Sequence, residues 1–286
     1  MIANPIAGRG RGRSSAEALT DGLRTRGVET ELFLTSGRGQ AAERAAGGAK
    51  EVDVVVSVGG DGTLNEVLSG MVHTETAIAQ LPLGTANVLA HDLGLPLRVD
   101  RAADAIAAGR TTLLDTAEVN GRLTFLCVGV GIDGHAVREV ERRRTGAITK
   151  LIYVDAMLRV LRSYRPPELE LEIDGEPIDG RFGFILISNV RGYGAVFRLS
   201  HECRYADRKV EVYGLRRGTP LELLRTGVSG ILGRLPGRVT EFWQASSVRI
   251  IDRSRTAVPY QIDGDFGGEG DVDYRVSGYQ ARIVVP

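Results

Sequence analysis

The chain has 286 residues, with 36 basic residues set against 36 acidic ones. This length is typical of two domains, and a net charge of zero excludes a strongly basic nucleic-acid binder. Two cysteines are too few for a disulfide framework, which indicates a reducing, cytoplasmic location. No apolar run approaches the roughly 18 residues that cross a bilayer, so we expect no transmembrane segment and only peripheral membrane contact.

The first 114 residues alternate strand and helix signals. Residues 52–58 are nearly all apolar and β-branched, which is typical of a parallel strand buried on both faces. Residues 14–17 have the pattern of a capping box that opens a helix. The alternation predicts an α/β domain with an open parallel sheet flanked by helices. Its strands are predicted at 1–4, 28–34, 52–58 and 77–81, and its helices at 14–26, 40–46, 64–71 and 87–93.

Strand signals dominate residues 115–286. Val119-Asn120-Gly121-Arg122 is a strong hairpin signal. We interpret residues 1–114 as one domain and 115–286 as a second, mainly antiparallel β-sandwich. As an alternative, its last strand packs back on the first domain. Further strands are predicted at 169–173, 182–188, 209–215, 248–252 and 258–262, and helices at 134–144, 148–163 and 220–232.

The most informative loop is Gly59-Gly60-Asp61-Gly62, which follows a buried strand and precedes a helix. Glycines allow the backbone to approach a ligand closely, and a helix N-terminus offers N–H groups to phosphate. The loop is neither a dinucleotide fingerprint nor a P-loop, because no Gly-Lys-Ser/Thr follows. A tight strand-to-helix turn without a ligand stays open as an alternative.

Two more glycine-containing loops follow other strands of the predicted sheet. They are Asn4-Pro5-Ile6-Ala7-Gly8 and Pro82-Leu83-Gly84-Thr85-Ala86-Asn87. The carboxyl ends of parallel strands meet at one edge, where ligands bind in open α/β sheets, so we expect the three loops to converge. For Asn87, capping of the next helix is a simpler interpretation.

These three loops resemble the catalytic-domain motifs of diacylglycerol and sphingosine kinases, above all the bacterial soluble branch. Gly129-x-Gly131-x-Asp133 and Gln261-Ile262-Asp263-Gly264-Asp265 are similar to the motifs of that family's second domain. NAD kinases and phosphofructokinases share a Gly-Gly-Asp-Gly loop and a similar first domain. The Pro-Leu-Gly-Thr loop and the late Asp-Gly-acid turn favour the lipid kinases.

The resemblance implies ATP-dependent phosphorylation of a lipid hydroxyl, with ATP and Mg²⁺ bound between the two domains. It implies that Asp133 contacts the lipid headgroup. The residues that would hold the nucleotide are Asn4, Pro5, Ile6, Ala7, Gly8, Thr35, Gly59, Gly60, Asp61, Gly62, Thr63, Leu64, Asn65, Glu66 and Thr85.

Two carboxylates are candidate catalytic bases on this resemblance. Asp265 lies where the bacterial enzymes have their base, and Asp61 lies where sphingosine kinases have theirs. We favour Asp265 as the base and Asp61 as the carboxylate on the metal or phosphate side. The bacterial pattern has glutamate where this chain has Asp265, and aspartate is one methylene shorter.

The resemblance also implies a structural magnesium ion in the second domain. Its ligands would be the Asp207 carboxylate and the backbone carbonyls of Arg204 and Lys209. Arg208 replaces a glycine of the family pattern. The extra positive charges beside a cation are unfavourable, which leaves open an altered or an empty metal site.

The expected partner is a lipid substrate at a membrane surface, reached by peripheral contact with the inner face. Residues 148–163 and 215–243 combine basic and apolar side chains, as membrane-surface helices do, although a solvated basic face on the sandwich explains them equally. The oligomeric state stays open, with a homodimer as one alternative. Two other functions also stay open: a soluble-substrate kinase of the NAD-kinase type, and a non-catalytic lipid or nucleotide sensor.

Overall fold

The computed structural model describes residues 1–143, 150–193, 197–199, 203–232, 235 and 240–286. The chain divides into a first unit, Met1–Leu114 with Tyr279–Pro286, and a second unit, Asp115–Gly278. The start of the helix predicted at 148–163 and the last residue of the helix predicted at 134–144 lie outside the described residues.

The first unit contains a parallel sheet with helices packed on it. Its strand order is β2-β1-β3-β4, and the C-terminal segment of the chain adds in parallel to β4, with Ile283 opposite Ile78. The strands are β1 (Ile2–Ala3), β2 (Phe33–Leu34), β3 (Val54–Gly59) and β4 (Ala77–Pro82). The helices are α1 (Ala7–Gly10), α2 (Gly12–Arg24), α3 (Gln40–Gly48), α4 (Asp61–Gly70), α5 (Val88–Asp92) and α6 (Val99–Ala108), with a short 3₁₀ turn at Ala49–Glu51.

The core of this unit confirms the predicted parallel sheet. Val56 and Val58 of β3 are buried together with Leu19 and Leu23 of α2 and Ile106 of α6. A strand buried on both faces is mainly apolar, and in β3 only Ser57 departs from this pattern, so the strand could be recognised from the sequence.

Two local predictions in the first unit were wrong. The capping box at 14–17 does not open the helix, because α2 begins at Gly12 and no side chain caps it. Gly12 packs directly on the carbonyl of Asn4, where any Cβ would collide, so a tertiary contact fixes the start of the helix. The strand predicted at 28–34 is limited to Phe33 and Leu34.

The second unit is built mainly from antiparallel strands. The strands are β5 (Thr111–Val119, which begins in the first unit), β6 (Arg122–Thr124), β7 (Cys127–Val130), β8 (Leu169–Ile173), β9 (Glu176–Phe182), β10 (Phe184–Ser188), β11 (Gly192–Tyr193), β12 (Phe197–Arg198), β13 (Val210–Leu215), β14 (Glu241–Ala245), β15 (Ser247–Asp252), β16 (Pro259–Ile262), β17 (Asp265–Glu269) and β18 (Val272–Val284, which ends in the first unit). The helices are α7 (Ile132–Arg142), α8 (Lys150–Ser163) and α9 (Pro220–Ile231). None of the helices in the described ranges combines the length and hydropathy that a membrane span requires.

Two sheets of this unit enclose one core, which confirms the predicted sandwich. One sheet has the order β14-β13-β10-β7-β16-β17, and the other pairs β9, β8, β15 and the first half of β18. On β10, Ile185 and Ile187 face the core between the sheets, while Phe184 and Leu186 face the opposite side. Side chains of α8 and α9 cover that opposite side. Strand periodicity of two therefore separates a sandwich core from a helix-covered outer layer.

Candidate active site

The Gly-Gly-Asp-Gly loop and the Pro-Leu-Gly-Thr loop touch through their backbones. The N–H of Leu83 donates to the carbonyl of Gly59 at 2.8 Å. A Cβ placed on Gly84 would lie 2.7 Å from the Cα of Gly60, closer than real Cβ atoms come. Only glycine at these positions allows the loops to approach this closely, which confirms that they converge.

The N-terminal loop joins the same edge of the sheet. The N–H of Asn4 donates to the carbonyl of Val58 at 3.0 Å. Gly8 adopts φ of 61°, and a Cβ there would lie 3.3 Å from the Cβ of Leu83. All three predicted loops therefore meet where β1, β3 and β4 end, the edge at which open α/β sheets bind ligands.

Asp61 and Asn87 brace the loops from the side. Asp61 Oδ2 accepts a hydrogen bond from the N–H of Val88 at 3.2 Å, across the two loops. Asn87 has left-handed φ of 46°, accepts from the N–H of Gly84 at 2.7 Å and donates to its carbonyl at 2.8 Å. The capping interpretation of Asn87 was wrong, because its side chain folds back on the loop and makes no cap bond.

The remaining predicted nucleotide residues surround this edge. Thr63 packs against Gly59, and the N–H of Thr35 bonds the carbonyl of Ala3 at 2.9 Å. Thr85 is exposed, whereas the Leu64 side chain is buried in the first unit and cannot contact a ligand. The others lie on the N-terminal loop or in the first turns of α4: Pro5, Ile6, Ala7, Gly62, Asn65 and Glu66.

These residues fit a nucleotide phosphate group. Helix α4 begins at Asp61 and has no side chain capping its first turn, so backbone N–H groups at Gly62 and Thr63 remain as donors there. Glycines keep the neighbouring loops free of side chains, and the helix dipole favours an anion. A cradle of this kind holds phosphate without needing a cationic side chain.

Asp133 lies in the first turn of α7 in the second unit and is only 5% exposed. Tyr193 donates its hydroxyl to Asp133 Oδ2, and Gly129 leaves room for the carboxylate where a Cβ would collide. Burial raises the pKa of Asp133 to about 6, and the bond from Tyr193 offsets part of that rise. Sequence reasoning missed Tyr193, because no motif connects it to a residue 60 positions earlier.

Asp265 belongs to the same region of the second unit as Asp133. Burial is the main cause that raises the pKa of the Tyr153 phenol, and the carboxylates of Asp133 and Asp265 raise it further. Asp265 itself is exposed at the first position of β17. Helix α7, which carries Asp133, packs against β17, which begins at Asp265.

The turn that carries Asp265 is held by its neighbour Asp263. Asp263 and Gly264 have φ of 52° and 87°, the conformation of a two-residue hairpin turn. The Asp263 carboxylate accepts from the hydroxyl of Thr124 at 2.7 Å and from the N–H of Leu126 at 3.0 Å. Asp263 therefore holds the turn in place. Asp265, two residues later, is exposed and accessible to a ligand.

The predicted magnesium loop is tied to a buried carboxylate. The N–H of Arg208 donates to Asp115 Oδ2 at 2.6 Å, with Arg208 in the left-handed conformation at φ of 59°. Asp207 accepts from the N–H of Lys209 at 3.1 Å, and the side chains of Arg204, Arg208 and Lys209 are exposed. Across the described ranges, no cluster of three or more His, Cys, Asp or Glu side chains could hold a metal. Asp115 is already bonded to the Arg208 N–H, and Asp207 is flanked by three cationic side chains, a donor set that fits Mg²⁺ poorly, so we derive no step from a metal at this loop.

Two family models together cover almost the whole chain. Residues 1–119 match the diacylglycerol kinase catalytic domain, and residues 126–285 match the YegS C-terminal NAD kinase beta sandwich-like domain. The chain belongs to this family of lipid kinases. Membership confirms the resemblance that the glycine loops and the late Asp-Gly-acid turn suggested.

Relatives and solved structures agree with this assignment. A diacylglycerol kinase of Bacillus subtilis (strain 168) is 25% identical over 273 residues, 94% of this chain and 89% of the relative. The "Probable lipid kinase YegS" of Escherichia fergusonii is 30% identical over 179 residues, 60% of each chain. A crystal structure of a diacylglycerol kinase from Bacillus anthracis str. Sterne superposes with a TM-score of 0.77 at 17% identity, covering 100% of this chain and 95% of that one. At that identity the superposition shows a common fold.

Proposed function

We propose that this protein is an ATP-dependent kinase that phosphorylates a hydroxyl group of a lipid, of the diacylglycerol or sphingoid class. The observation that carries the proposal is the backbone contact between Gly60 and Gly84, which brings two glycine loops together beside the N-terminal loop. A side-chain-free edge of this kind suits a polyphosphate, and membership of a lipid kinase family points to a lipid acceptor.

The first unit would hold the nucleotide. The N-terminal loop, Thr35, the Gly59–Glu66 segment and Thr85 would bind it, with N–H groups of the α4 N-terminus directed at its phosphates. ATP, with Mg²⁺, supplies the phosphoryl group that is transferred. Because phosphoryl transfer depends mainly on positioning and charge neutralisation, fixed backbone donors are sufficient protein machinery on this side.

The second unit would provide the acceptor chemistry. Asp133, buried and held by Tyr193, would accept a hydrogen bond from the lipid headgroup. Asp265, which is exposed, would take the proton from the attacking hydroxyl at its carboxylate. Asp61 already accepts a bond from Val88, which favours a bracing and phosphate-side role for it over that of base.

Transfer of labelled phosphate tests the proposal. ATP-Mg is supplied with mixed micelles of diacylglycerol, monoacylglycerol, sphingosine, ceramide or phosphatidylglycerol, and NAD serves as the soluble acceptor. We expect transfer to at least one lipid and none to NAD. Transfer to NAD alone would establish a soluble-substrate kinase. ATP binding without transfer to any acceptor would favour a sensor, for which Arg208 in a left-handed glycine position is the supporting observation.

A further inference from the structure

Helix α9 of the second unit has an exposed aliphatic face. Four aliphatic side chains of the helix and the one that follows it recur at intervals of three or four positions, as one face of a helix requires. The exposed members are between 50% and 61% accessible: Leu221, Leu224, Val228, Ile231 and Leu232. Scattered exposed leucines are common on protein surfaces, but a contiguous aliphatic stripe of this length marks an interaction site.

The opposite side of α9 is firmly attached to the protein. Leu223 packs on the outer layer of the sandwich, beside Tyr213 and Leu215. The Thr219 hydroxyl caps the first turn, and Pro220 follows at the first helical position. Because Leu223 holds this side of the helix against the sandwich, the exposed stripe faces away from the sandwich.

The charge on this face indicates which kind of partner binds to it. The acid of α9, Glu222, is only 8% exposed and is bonded to Arg217 at 2.8 Å. Arg225 is exposed beside the stripe, and no exposed acid lies on the helix. Aliphatic side chains with a cation and without acids match an anionic lipid bilayer, in which the apolar face enters the acyl region and the arginine meets headgroups.

The position of α9 connects this face to the candidate acceptor site. Helix α9 lies against β12, and β12 pairs with β11, which carries Tyr193, the hydrogen-bond donor to Asp133. We propose that the exposed face of α9 docks the protein on an anionic bilayer beside the residues that receive the lipid headgroup. The biological role of this docking rests on the proposed function, in which the substrate is a lipid. Binding of the helix face to a bilayer does not depend on catalysis and can be measured without it.

Vesicle flotation tests the docking without any phosphoryl transfer. The full chain is mixed, without ATP, with vesicles of phosphatidylcholine alone or with about one third phosphatidylglycerol. We expect binding to the anionic vesicles, a loss of roughly tenfold or more in Leu224→Glu, and a loss of roughly fivefold in Arg225→Gln. The control is Val52→Glu, at an aliphatic residue 47% exposed in the first unit, which should bind as wild type.

Three results would overturn the docking proposal. These are no binding of wild type to either vesicle, equal binding of Leu224→Glu and Val52→Glu, or a wild-type dimer that Leu224→Glu converts to monomer. The last result would assign the face to a second copy of the chain. Circular dichroism melting of each variant shows that it is folded. A protein that binds vesicles through Leu224 but phosphorylates no lipid would retain the docking proposal and contradict the proposed function.

Discussion

The three glycine loops of the first unit and the Asp133 site of the second unit are built by different means. In the first unit, backbone meets backbone, as the approach of Gly84 to Gly60 shows. In the second unit, side chains from distant segments meet, as Tyr193 and Asp133 do. Sites made by glycine backbone leave a short, fixed signature in the sequence. Sites made by buried side chains do not, because their partners are separated along the chain.

The two regions should respond differently to substitution. A glycine at a backbone contact has no conservative replacement, so a change there should affect folding and nucleotide binding together. A buried carboxylate can be replaced by its amide at little cost in shape, so a change there should affect the chemistry while retaining the fold.

Gly84→Ala should be the most destabilising of the changes considered and should weaken nucleotide binding as well. Its Cβ would meet the Gly60 Cα at 2.7 Å and Asn87 Oδ1 at 2.6 Å, so the loops must separate. Overpacking of this kind costs about 2 kcal/mol of unfolding free energy, and we expect ATP affinity to fall with it. Urea unfolding and calorimetric titration measure both. Gly37→Ala is the control, since no atom lies within 4 Å of a Cβ there. Equal behaviour of the two variants would contradict the backbone account.

Asp133→Asn should change the pH dependence of stability. Burial raises the pKa of Asp133 from 3.8 to about 6, so the folded state binds the proton more tightly. Stability from this group is present at low pH and is lost as pH rises through about 6, in total roughly 2 to 3 kcal/mol. The variant should therefore be more stable than wild type at pH 7, and the difference should shrink toward pH 4. Urea unfolding across this range checks it, with Asp179→Asn as an exposed control. If the unfolding free energies of Asp133→Asn and wild type changed in parallel with pH, the carboxylate would not be held in a desolvated site.

Arg208→Gly should have the smallest effect, and it should be favourable relative to its neighbour. Arg208 has φ of 59°, a conformation that glycine adopts without strain, whereas Arg204 has no positive φ. We expect Arg208→Gly to be about 1 kcal/mol more stable than Arg204→Gly, because only the first relieves left-handed strain. Thermal unfolding of both variants measures the difference. Equal destabilisation would mean that the loop does not hold this conformation.

The parts of the fold that were predictable from sequence depend on local rules. Buried β3 and the hairpin at Val119 and Arg122 were recognisable because a strand buried on both faces is mainly apolar and a tight hairpin turn favours Asn-Gly. The start of α2 was not, because the contact of Gly12 with the Asn4 carbonyl decides it. The capping pattern at 14–17 involves only neighbouring residues, so it could not indicate that contact.

The candidate site also has parts that could be predicted from the sequence and parts that could not. The three glycine loops were predicted to converge and do so, whereas the bracing roles of Asn87 and Asp263 were not foreseen. Asn87 looked like a helix cap, and its bonds to Gly84 appear only once the loop is folded. Asp263 looked like part of an ordinary turn, and its bonds to Thr124 and Leu126 join segments more than 130 residues apart.

The most direct test of the division of labour between the two regions is a comparison of ATP binding and lipid phosphorylation in Asp265→Asn. We expect ATP affinity equal to that of wild type, and phosphate transfer to the lipid acceptor lowered by about 10² to 10⁴. Asp265→Glu, which restores a carboxylate, should recover much of the transfer. If Asp265→Asn transfers phosphate as wild type does, and Asp61→Asn alone loses transfer while binding ATP, the base belongs to the glycine loop and the account is contradicted.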